Sequence, residues 1–466
     1  MYKDKNFWVL VFAIIGFVAF KYDALFLPFF WDEAWVYMPA IRTMAEVGPS
    51  VLPGSIDAEL YTGHPLLFYF LASSWIKVLG YSLLTAHSLP LLISIGLVLS
   101  VYYVVLNWTQ STFSALVGAL LVLVQPIFLT QSTYLLIEVW LGLLFVWSFY
   151  FYFEKRWLPF VAIVLMGLWS KESAYTLVPC FVLLAIIEFL FWKEGLKVLF
   201  SKLALIIGIF ILGISFFVLQ KFTLGWYLFP RHANWMNLED FSYKFDVAMA
   251  IVFKDQGRQA YYLLAVMAAV VGLIQYQYRL PKTHILKIMG ILIFTLGFMV
   301  FASINFFSNR YLFGAIPLMM MACSLLFDSI KEKFYTYILL FLIVVYGFFN
   351  IYTSLNKEKF GDTELSYIHL LKAQVGMVNY LHQNPTGAQT YAPFLMLINL
   401  SNPYAGFVNK GLPNLSSQLK DSNNMYYLQE PNEPEADFDS LQVQYHLVLV
   451  NEEKAGNAWV KLYKKP

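Results

Sequence analysis

Residues 86–106 read AHSLPLLISIGLVLSVYYVVL, an apolar stretch without an acidic or basic side chain other than one histidine. A helix rises 1.5 Å per residue, so a helix of this length crosses the roughly 30 Å of hydrocarbon in a bilayer. Similar stretches recur along three quarters of the chain. We predict about 11 membrane-spanning helices, at residues 7–22, 86–106, 113–130, 136–153, 157–170, 173–191, 201–220, 259–277, 285–304, 311–328 and 334–353.

The composition of the 466 residues agrees with a membrane protein. Hydrophobic residues make up 59% of the chain and charged residues only 13%, about half the share of roughly 25% that is usual in soluble domains. So much apolar surface excludes an ordinary water-soluble enzyme. A net charge of +2 provides no basic field, so nucleic acid is not an expected partner. Cys180 and Cys323 lie within apolar stretches, and we interpret both as packing residues.

The distribution of lysine and arginine indicates the topology, because short cytoplasmic loops are enriched in both. If the N-terminus is cytoplasmic, the basic turns fall on the cytoplasmic side. These turns are residues 154–156, 193–202, 279–287 and 331–333. Three outer loops follow from this assignment, at residues 23–85, 131–138 and 221–258. In the first of them, residues 66–79 are expected to lie along the membrane surface rather than to cross it.

The last part of the chain has a different composition, in which Asn, Gln, Pro and acidic residues replace the aliphatic runs. A helical pattern and alternating apolar patterns predict a small α/β domain. The predicted elements are a helix at 370–381, strands at 389–392, 443–450 and 458–463, and a polar loop at 431–439. The predicted fold class is therefore an all-α polytopic membrane domain, residues 1–353, followed by an extracytoplasmic α/β domain, residues 354–466.

Charged residues that border the spans require an explanation, because a charge at membrane depth costs a few kcal/mol. They form four clusters, at residues 31–33, 130–138, 170–172 and 309–311. The topology, which rests on basic residues in other loops, places all four on the outer face. We interpret the clusters as parts of one site.

Two of the clusters supply candidate acids and bases. Asp32 and Glu33 are adjacent and would point about 100° apart on a helix, so only one can face a given site. Asp32 is the candidate general base, a role that contributes on the order of 10² to 10⁴ in rate. Alternatively, Asp32 caps the helix that follows it. Glu138 begins another span and either belongs to the site or faces water at the interface.

The cations could hold a phosphate, with arginine acting as a bidentate fork and lysine as a point charge. Lys171 and Arg310 are the first candidates, although both could instead snorkel to the interface. Arg231 and Arg258 lie in the third outer loop among aromatic residues, which either stack on a sugar or form an anchoring belt. No histidines have metal-ligand spacing. A divalent cation on Asp32, Glu33 or Glu138 is compatible with the sequence, since phosphate could supply its other ligands.

In their order along the chain, these clusters resemble the motifs of the GT-C superfamily of membrane glycosyltransferases, in particular protein O-mannosyltransferases and bacterial lipid A aminoarabinose transferases. The resemblance covers about residues 7–330. The matching motifs are the acidic pair Asp32-Glu33, the segment from His64-Pro65 to Phe68-Tyr69-Phe70, Pro126 with Glu138, Gly167-Leu168-Trp169-Ser170-Lys171, and Arg310-Tyr311-Leu312 with Pro317. The second proline of the family's Pro-Pro motif is missing here, and Glu138 stands where Asp is commoner.

The resemblance implies a glycosyltransferase that uses a sugar on a polyprenyl phosphate as donor, with hexosyl or pentosyl transfer to a hydroxyl of a lipid, glycan or protein acceptor and inversion at the anomeric carbon. It also implies location in the plasma (inner) membrane and a role in cell-envelope glycans. Under this reading the catalytic residues are Asp32, Glu33 and Glu138. The residues expected to bind the donor phosphate are His64, Lys171, Arg310, Arg231 and Arg258.

Two other functions are weighed against this one. A flippase or transporter of lipid-linked glycans would place charges near the bilayer midplane, often in paired repeats, whereas here the charges border one face. A polysaccharide polymerase or ligase would carry a long catalytic loop rich in Arg and His later in the chain. Residues 221–258 offer a partial version of such a loop.

Overall fold

The computed structural model describes residues 5–192, 194–230, 238–305, 307–330, 333–417, 425–432 and 438–465. The chain forms a bundle of apolar helices followed by a small α/β domain, as predicted. The α-helices of the bundle are α1 (Lys5–Lys21), α2 (Met38–Val47), α3 (Ala58–Tyr61), α4 (Leu67–Leu79), α5 (Leu83–Thr109), α6 (Thr112–Leu123), α7 (Pro126–Gln131), α8 (Glu138–Phe153), α9 (Trp157–Leu168), α10 (Leu177–Trp192), α11 (Leu196–Leu224), α12 (Phe241–Phe253), α13 (Arg258–Tyr276), α14 (Lys282–Ile304), α15 (Ala315–Phe327) and α16 (Lys333–Leu355). The short turns between them are a π-helical turn at Glu33–Tyr37 and 3-10 turns at Asp23–Phe26, Glu172–Thr176, Asp255–Gly257 and Asn309–Gly314.

Each predicted span contains an apolar helix. Within the described residues, eight helical segments are long and apolar enough to cross a membrane. The other three predicted spans correspond to the shorter helices α6, α8 and α9. Helix α6 stops before Pro126 because the residue before a proline disfavours the helical conformation, and Gln125 is extended. The segment predicted to lie on the surface is α4, whose 13 residues span about 20 Å, less than the hydrocarbon thickness.

The large predicted loop, residues 221–258, contains more helix than expected. Helix α11 continues into it as far as Leu224, and α12 occupies 13 residues near its other end. Lys244 and Asp246 interrupt the apolar run of α12 in its first two turns. The helix nevertheless packs against α14.

The C-terminal domain is built around one sheet of five strands. Its elements are α17 (Tyr367–Gln383), β1 (Thr390–Tyr391), α18 (Phe394–Ser401), a 3-10 turn at Pro403–Ala405, β2 (Leu415–Ser416), β3 (Tyr426–Gln429), α19 (Phe438–Gln444), β4 (Val448–Ala455) and β5 (Ala458–Lys464). The strand order is β2-β1-β3-β5-β4. The pairs β1–β2 and β1–β3 are parallel, whereas β3–β5 and β4–β5 are antiparallel.

One predicted strand of this domain, residues 443–450, is displaced in the structure. Helix α19 extends through Gln444, and β4 begins only at Val448. The hairpin with β5 fixes the position of β4, because Ala455 pairs with Ala458 across a turn in which Gly456 has a φ of +55°. The predicted loop at 431–439 ends in the first residues of α19, and its residues 433–437 lie outside the described part of the chain.

The bundle and the C-terminal domain share one hydrophobic core. A single cluster of buried residues extends from Leu10 in α1 to Leu462 in β5. At the junction, the Tyr367 ring lies 5.6 Å from that of Phe30, and Lys21 Nζ lies 3.1 Å from the Tyr367 hydroxyl. The C-terminal domain is therefore seated on the segment that follows α1.

Glu33 joins the segment after α1 to the segment before α8. Its side chain is completely buried. One carboxylate oxygen accepts the Leu135 N–H at 2.7 Å and lies 3.3 Å from His87 Nε2. The other accepts the Phe30 N–H at 3.3 Å. Glu33 thus fixes the turn that carries Asp32 against the beginning of α8.

We expect Glu33→Ala to lower the melting temperature of the protein in detergent by roughly 5 °C or more. The substitution leaves two buried N–H groups without an acceptor, and each costs about 1–3 kcal/mol. Intrinsic fluorescence during heating measures the effect. Glu46→Ala is the control, because this carboxylate is 59% exposed and its pair with Arg42 is a surface pair worth little. Equal melting temperatures for Glu33→Ala and the unmodified protein would contradict the assignment.

Candidate active site

Arg310 lies at the centre of a buried group of charges. It belongs to the 3-10 turn between α14 and α15. Its two Nη atoms donate to Asp32 and Asp362, and its Nε lies 3.5 Å from Glu138 Oε1. Three carboxylates from distant parts of the sequence therefore surround one guanidinium.

Lys171 extends this group toward α9. Its backbone is extended between the end of α9 and the turn Glu172–Thr176, and its Nζ lies 2.9 Å from Glu138 Oε1. The same ammonium lies 3.9 Å from the centre of the Tyr311 ring. We call Asp32, Glu138, Lys171, Arg310 and Asp362 the Arg310 cluster.

The structure thus brings together four residues that the sequence singled out, one from each of the four charged clusters. Lys171 and Arg310 are buried and paired with carboxylates, so neither extends to an aqueous interface as a snorkelling side chain would. Glu138 is likewise buried and paired, rather than facing water.

Asp32 is positioned by an unusual turn. The residue before it, Trp31, has a φ of +46°, a strained value for a residue with a side chain, and a π-helical turn follows. Strained residues and π-helical turns are frequent at functional sites. Asp32 makes no capping hydrogen bond to the turn that it precedes; its Oδ1 instead accepts from Trp35 Nε1 at 3.1 Å. Its neighbour Glu33 is turned away from the Arg310 cluster toward Leu135.

Asp362 was not anticipated from the sequence. It lies in the segment between α16 and α17, and the structure places this segment across the Arg310 cluster. Gln131 donates to the Asp362 carbonyl at 2.5 Å, and Gln256 donates to the Thr363 carbonyl at 2.7 Å. Burial raises the pKa of the Asp362 carboxyl, although Arg310 opposes this shift. The C-terminal part of the chain therefore supplies one acid of the cluster.

A cavity of about 350 Å³ adjoins Lys171 and Tyr311, which is within the range of about 300–1,000 Å³ typical of ligand pockets. Most of its apolar wall comes from α11 and α14, whereas its polar residues come from turns. The apolar residues include Ile214, Phe217, Leu228, Phe298, Phe301 and Ala302, and the polar ones include His64, Lys171, Glu172, Asn305 and Tyr311.

His64, a predicted phosphate-binding residue, lines this cavity rather than contacting Arg310. Its Nδ1 lies 2.7 Å from Glu172 Oε2. Glu172 follows Lys171 directly in the chain, so this contact brings His64 to the same side of the cavity as Lys171.

Two more residues predicted to bind phosphate, Arg231 and Arg258, are not found at the cavity in the described part of the chain. Arg258 is buried, and its guanidinium donates to the Ile251 carbonyl and to Gln256 Oε1. Gln256 in turn accepts the Ile127 N–H at 3.0 Å, so these contacts connect Arg258 to the segments around the cluster and not to the cavity. Arg231 lies outside the described residues.

Glu138 Oε2 and the Tyr69 hydroxyl are among the buried oxygens near the cluster that have no hydrogen-bond partner in the described part of the chain. Burial raises the pKa of the Tyr69 hydroxyl well above its usual value. The negative charges of Glu172, Glu138 and Asp32 raise it further. Buried polar atoms are nearly always paired, so both oxygens are candidates for contact with a ligand.

The three carboxylates considered for a divalent cation, Asp32, Glu33 and Glu138, do not form one group. Glu33 faces away from Asp32 and Glu138, and Arg310 lies between the carboxylates that remain. In the chain as described, no group of three or more His, Cys, Asp or Glu side chains is arranged to hold a metal ion.

Comparison with known proteins identifies the fold. No protein-family model and no curated protein sequence matches the chain. Among solved structures, it is similar to ArnT from Cupriavidus metallidurans in the apo state, with a TM-score of 0.57 and 11% sequence identity over 96% of this chain and 97% of that chain. It is also similar to ArnT from the same organism bound to undecaprenyl phosphate, with a TM-score of 0.59 and 11% identity over 98% of both chains. The likeness covers nearly the whole length of both chains and shows that this chain has the fold of ArnT, in agreement with the fold class predicted from the sequence.

Proposed function

We propose that the protein is an inverting glycosyltransferase that moves a sugar from a polyprenyl-phosphate donor to the hydroxyl of an acceptor. The observation that carries the proposal is the meeting of Asp32, Glu138, Lys171 and Arg310 in one buried cluster beside an apolar cavity. A candidate base, cations for a phosphate and a slot for a hydrocarbon chain are then adjacent.

The cavity suits the donor lipid. Apolar side chains of α11 and α14 would contact the isoprenoid, while Lys171 and His64 would meet the phosphate. A solved structure of ArnT, whose fold this chain shares, contains undecaprenyl phosphate. That structure supports a polyprenyl phosphate as the donor lipid here.

Asp32 would act as the general base. It takes the proton of the acceptor hydroxyl while the acceptor oxygen bonds to the anomeric carbon. The bond between that carbon and the phosphate oxygen breaks, and the phosphate leaves with the electron pair. Arg310 holds the Asp32 carboxylate in one orientation, and Lys171 stabilises the charge that develops on the phosphate.

Glu138 and Tyr69 would complete the site. Glu138 uses one oxygen to hold Lys171 and Arg310, so its second oxygen is free to orient a substrate hydroxyl. The Tyr69 hydroxyl stays protonated because of its burial and can donate to the phosphate or to the sugar.

The same proposal includes an orientation in the membrane. Residues 1–353 form the catalytic membrane domain with a cytoplasmic N-terminus, and residues 354–466 form an extracytoplasmic domain. The Arg310 cluster then faces the extracytoplasmic side, since Asp362 of the C-terminal part belongs to it. Basic residues in the turns at the opposite end support this orientation.

We expect Asp32→Asn to reduce sugar transfer at least 100-fold, because an amide cannot accept the hydroxyl proton. Cells that lack the chain should lose one sugar mass from a glycolipid or glycoprotein class. Mass spectrometry of these classes, after re-expression of each variant, measures the transfer. The unmodified chain should restore the missing mass, and Asp32→Asn should not.

Asp23→Asn is the matched control, because Asp23 is exposed in the 3-10 turn that follows α1 and is expected to leave transfer unchanged. Full restoration by Asp32→Asn would exclude Asp32 as the base. Ladders of repeated sugars that depend on the protein would indicate a polymerase, and movement of a lipid-linked glycan without any change in its head group would indicate a flippase.

We expect Ala302→Phe to weaken the binding of undecaprenyl phosphate at least tenfold. Ala302 lines the cavity from α14, so a benzyl group would occupy the volume assigned to the isoprenoid. Binding of the radiolabelled lipid to purified protein measures the effect. Val300→Phe is the control, since Val300 lies two residues earlier on the same helix and is exposed on the bundle surface. Equal binding by the two variants would show that the lipid lies elsewhere.

A further inference from the structure

Asp32 is the most exposed member of the Arg310 cluster. Its side chain is 25% exposed, against 18% for Asp362, 8% for Lys171, 5% for Arg310 and 2% for Glu138. Arg310 binds Oδ2 from the buried side. The other oxygen, Oδ1, is bound by the indole N–H of Trp35 on the exposed side. A molecule that reaches Asp32 from solvent therefore approaches along Trp35.

Two exposed aromatic rings border this approach. Trp35 is 43% exposed and Phe394 is 49% exposed. Their ring centres are 5.6 Å apart at an interplanar angle of 82°. Trp35 belongs to the π-helical turn after Asp32, whereas Phe394 begins α18 of the C-terminal domain. We call these two rings the aromatic pair.

The aromatic pair is held in place by contacts between the bundle and the C-terminal domain. The Phe29 N–H donates to the Ala405 carbonyl at 3.1 Å, so the turn after α18 is bonded to the segment that leads to Asp32. In α2, the guanidinium of Arg42 lies between two rings, 4.0 Å from the centre of Tyr81 and 4.5 Å from that of Tyr404. The pair is thus preformed rather than assembled by a ligand.

We propose that the aromatic pair binds the acceptor and that the acceptor group is a sugar. This inference rests on the proposed function. A sugar ring has an apolar face of C–H bonds and a rim of hydroxyls, and the site offers electron-rich ring faces beside a carboxylate oxygen. The stacked sugar presents one hydroxyl to Asp32 Oδ1, which can accept it in addition to the Trp35 N–H because a carboxylate oxygen has two lone pairs.

This assignment gives the two substrates opposite sides of the cluster. The donor lipid lies at Lys171 in the apolar cavity, and the acceptor lies at Asp32 beside the aromatic pair. The C-terminal domain then takes part in acceptor binding, because it supplies Phe394, one of the two rings of the aromatic pair. An exposed aromatic pair that served only as a membrane anchor would not need the hydrogen bond from Trp35 to Asp32.

Saturation-transfer NMR with methyl glycosides tests the inference on the full-length protein. The probes are the methyl glycosides of glucose, mannose, galactose and N-acetylglucosamine. The protein is kept in lauryldimethylamine oxide micelles, since sugar-based detergents would compete. We expect saturable binding of at least one glycoside, and binding about three- to tenfold weaker in Phe394→Leu and in Trp35→Leu, because each loses an aromatic contact.

Phe26→Leu is the matched control, because Phe26 is 47% exposed just after α1 but is not part of the aromatic pair. It should bind the glycoside as well as the unmodified chain does. Phe394→Leu carries most weight, since Phe394 does not contact Asp32 and its replacement leaves the cluster intact. Equal binding by all variants, or no saturable binding of any glycoside, would overturn the inference.

Two further measurements separate this inference from the proposed function. If undecaprenyl phosphate binds but no glycoside does, the acceptor inference is wrong and the transferase proposal stands. If a glycoside binds at the aromatic pair and undecaprenyl phosphate does not bind, the donor assignment is wrong instead. Saturable binding of a Ser/Thr-containing peptide that Phe394→Leu weakens, without glycoside binding, would replace the sugar by a protein acceptor.

Discussion

The site depends on the pairing of the buried Arg310 guanidinium with carboxylates. A charge removed from water is costly unless it is paired and hydrogen-bonded, and three carboxylates meet this requirement for Arg310. Asp32 comes from the segment after α1, Glu138 from the start of α8, and Asp362 from the segment before α17. Loss of any one of them removes a partner of the buried guanidinium, so the pairing also fixes how these segments lie relative to each other.

The two sides of the Arg310 cluster have different surroundings. At Lys171 it borders a cavity whose walls are apolar side chains of membrane helices. At Asp32 it opens toward the junction of the bundle with the C-terminal domain. With three carboxylates and two cations, the cluster itself has no surplus of positive charge, and His64 and Glu172 lie beyond its Lys171 side. Glu33, although adjacent to Asp32, belongs to the framework, because its oxygens hold backbone and His87.

Much of this architecture could be predicted because membranes impose simple length and charge constraints. Helices such as α5 and α14 were evident from apolar length. Asp32, Glu138, Lys171 and Arg310 were conspicuous because each borders a span, where a charge is costly. Asp362 was not conspicuous, since Glu358 and Glu364 lie in the same polar segment and only tertiary contact distinguishes it. Arg258 borders a span like the others, but only the structure shows that its partners are the Ile251 carbonyl and Gln256 rather than the carboxylates of the cluster. The two-residue strands β1 and β2 carry too few residues to show an alternating pattern.

The origin of Asp362 has a consequence for biosynthesis. Asp362 follows Arg310 by 52 residues, and at about 5–20 residues per second a ribosome needs roughly 3 to 10 s to add them. During that interval α15 and α16 must enter the bilayer while Arg310 lacks one of its partners. The Arg310 cluster is therefore completed late, after the last helix of the bundle has been made, and a nascent chain that stalls before this point would insert in the membrane with the cluster incomplete.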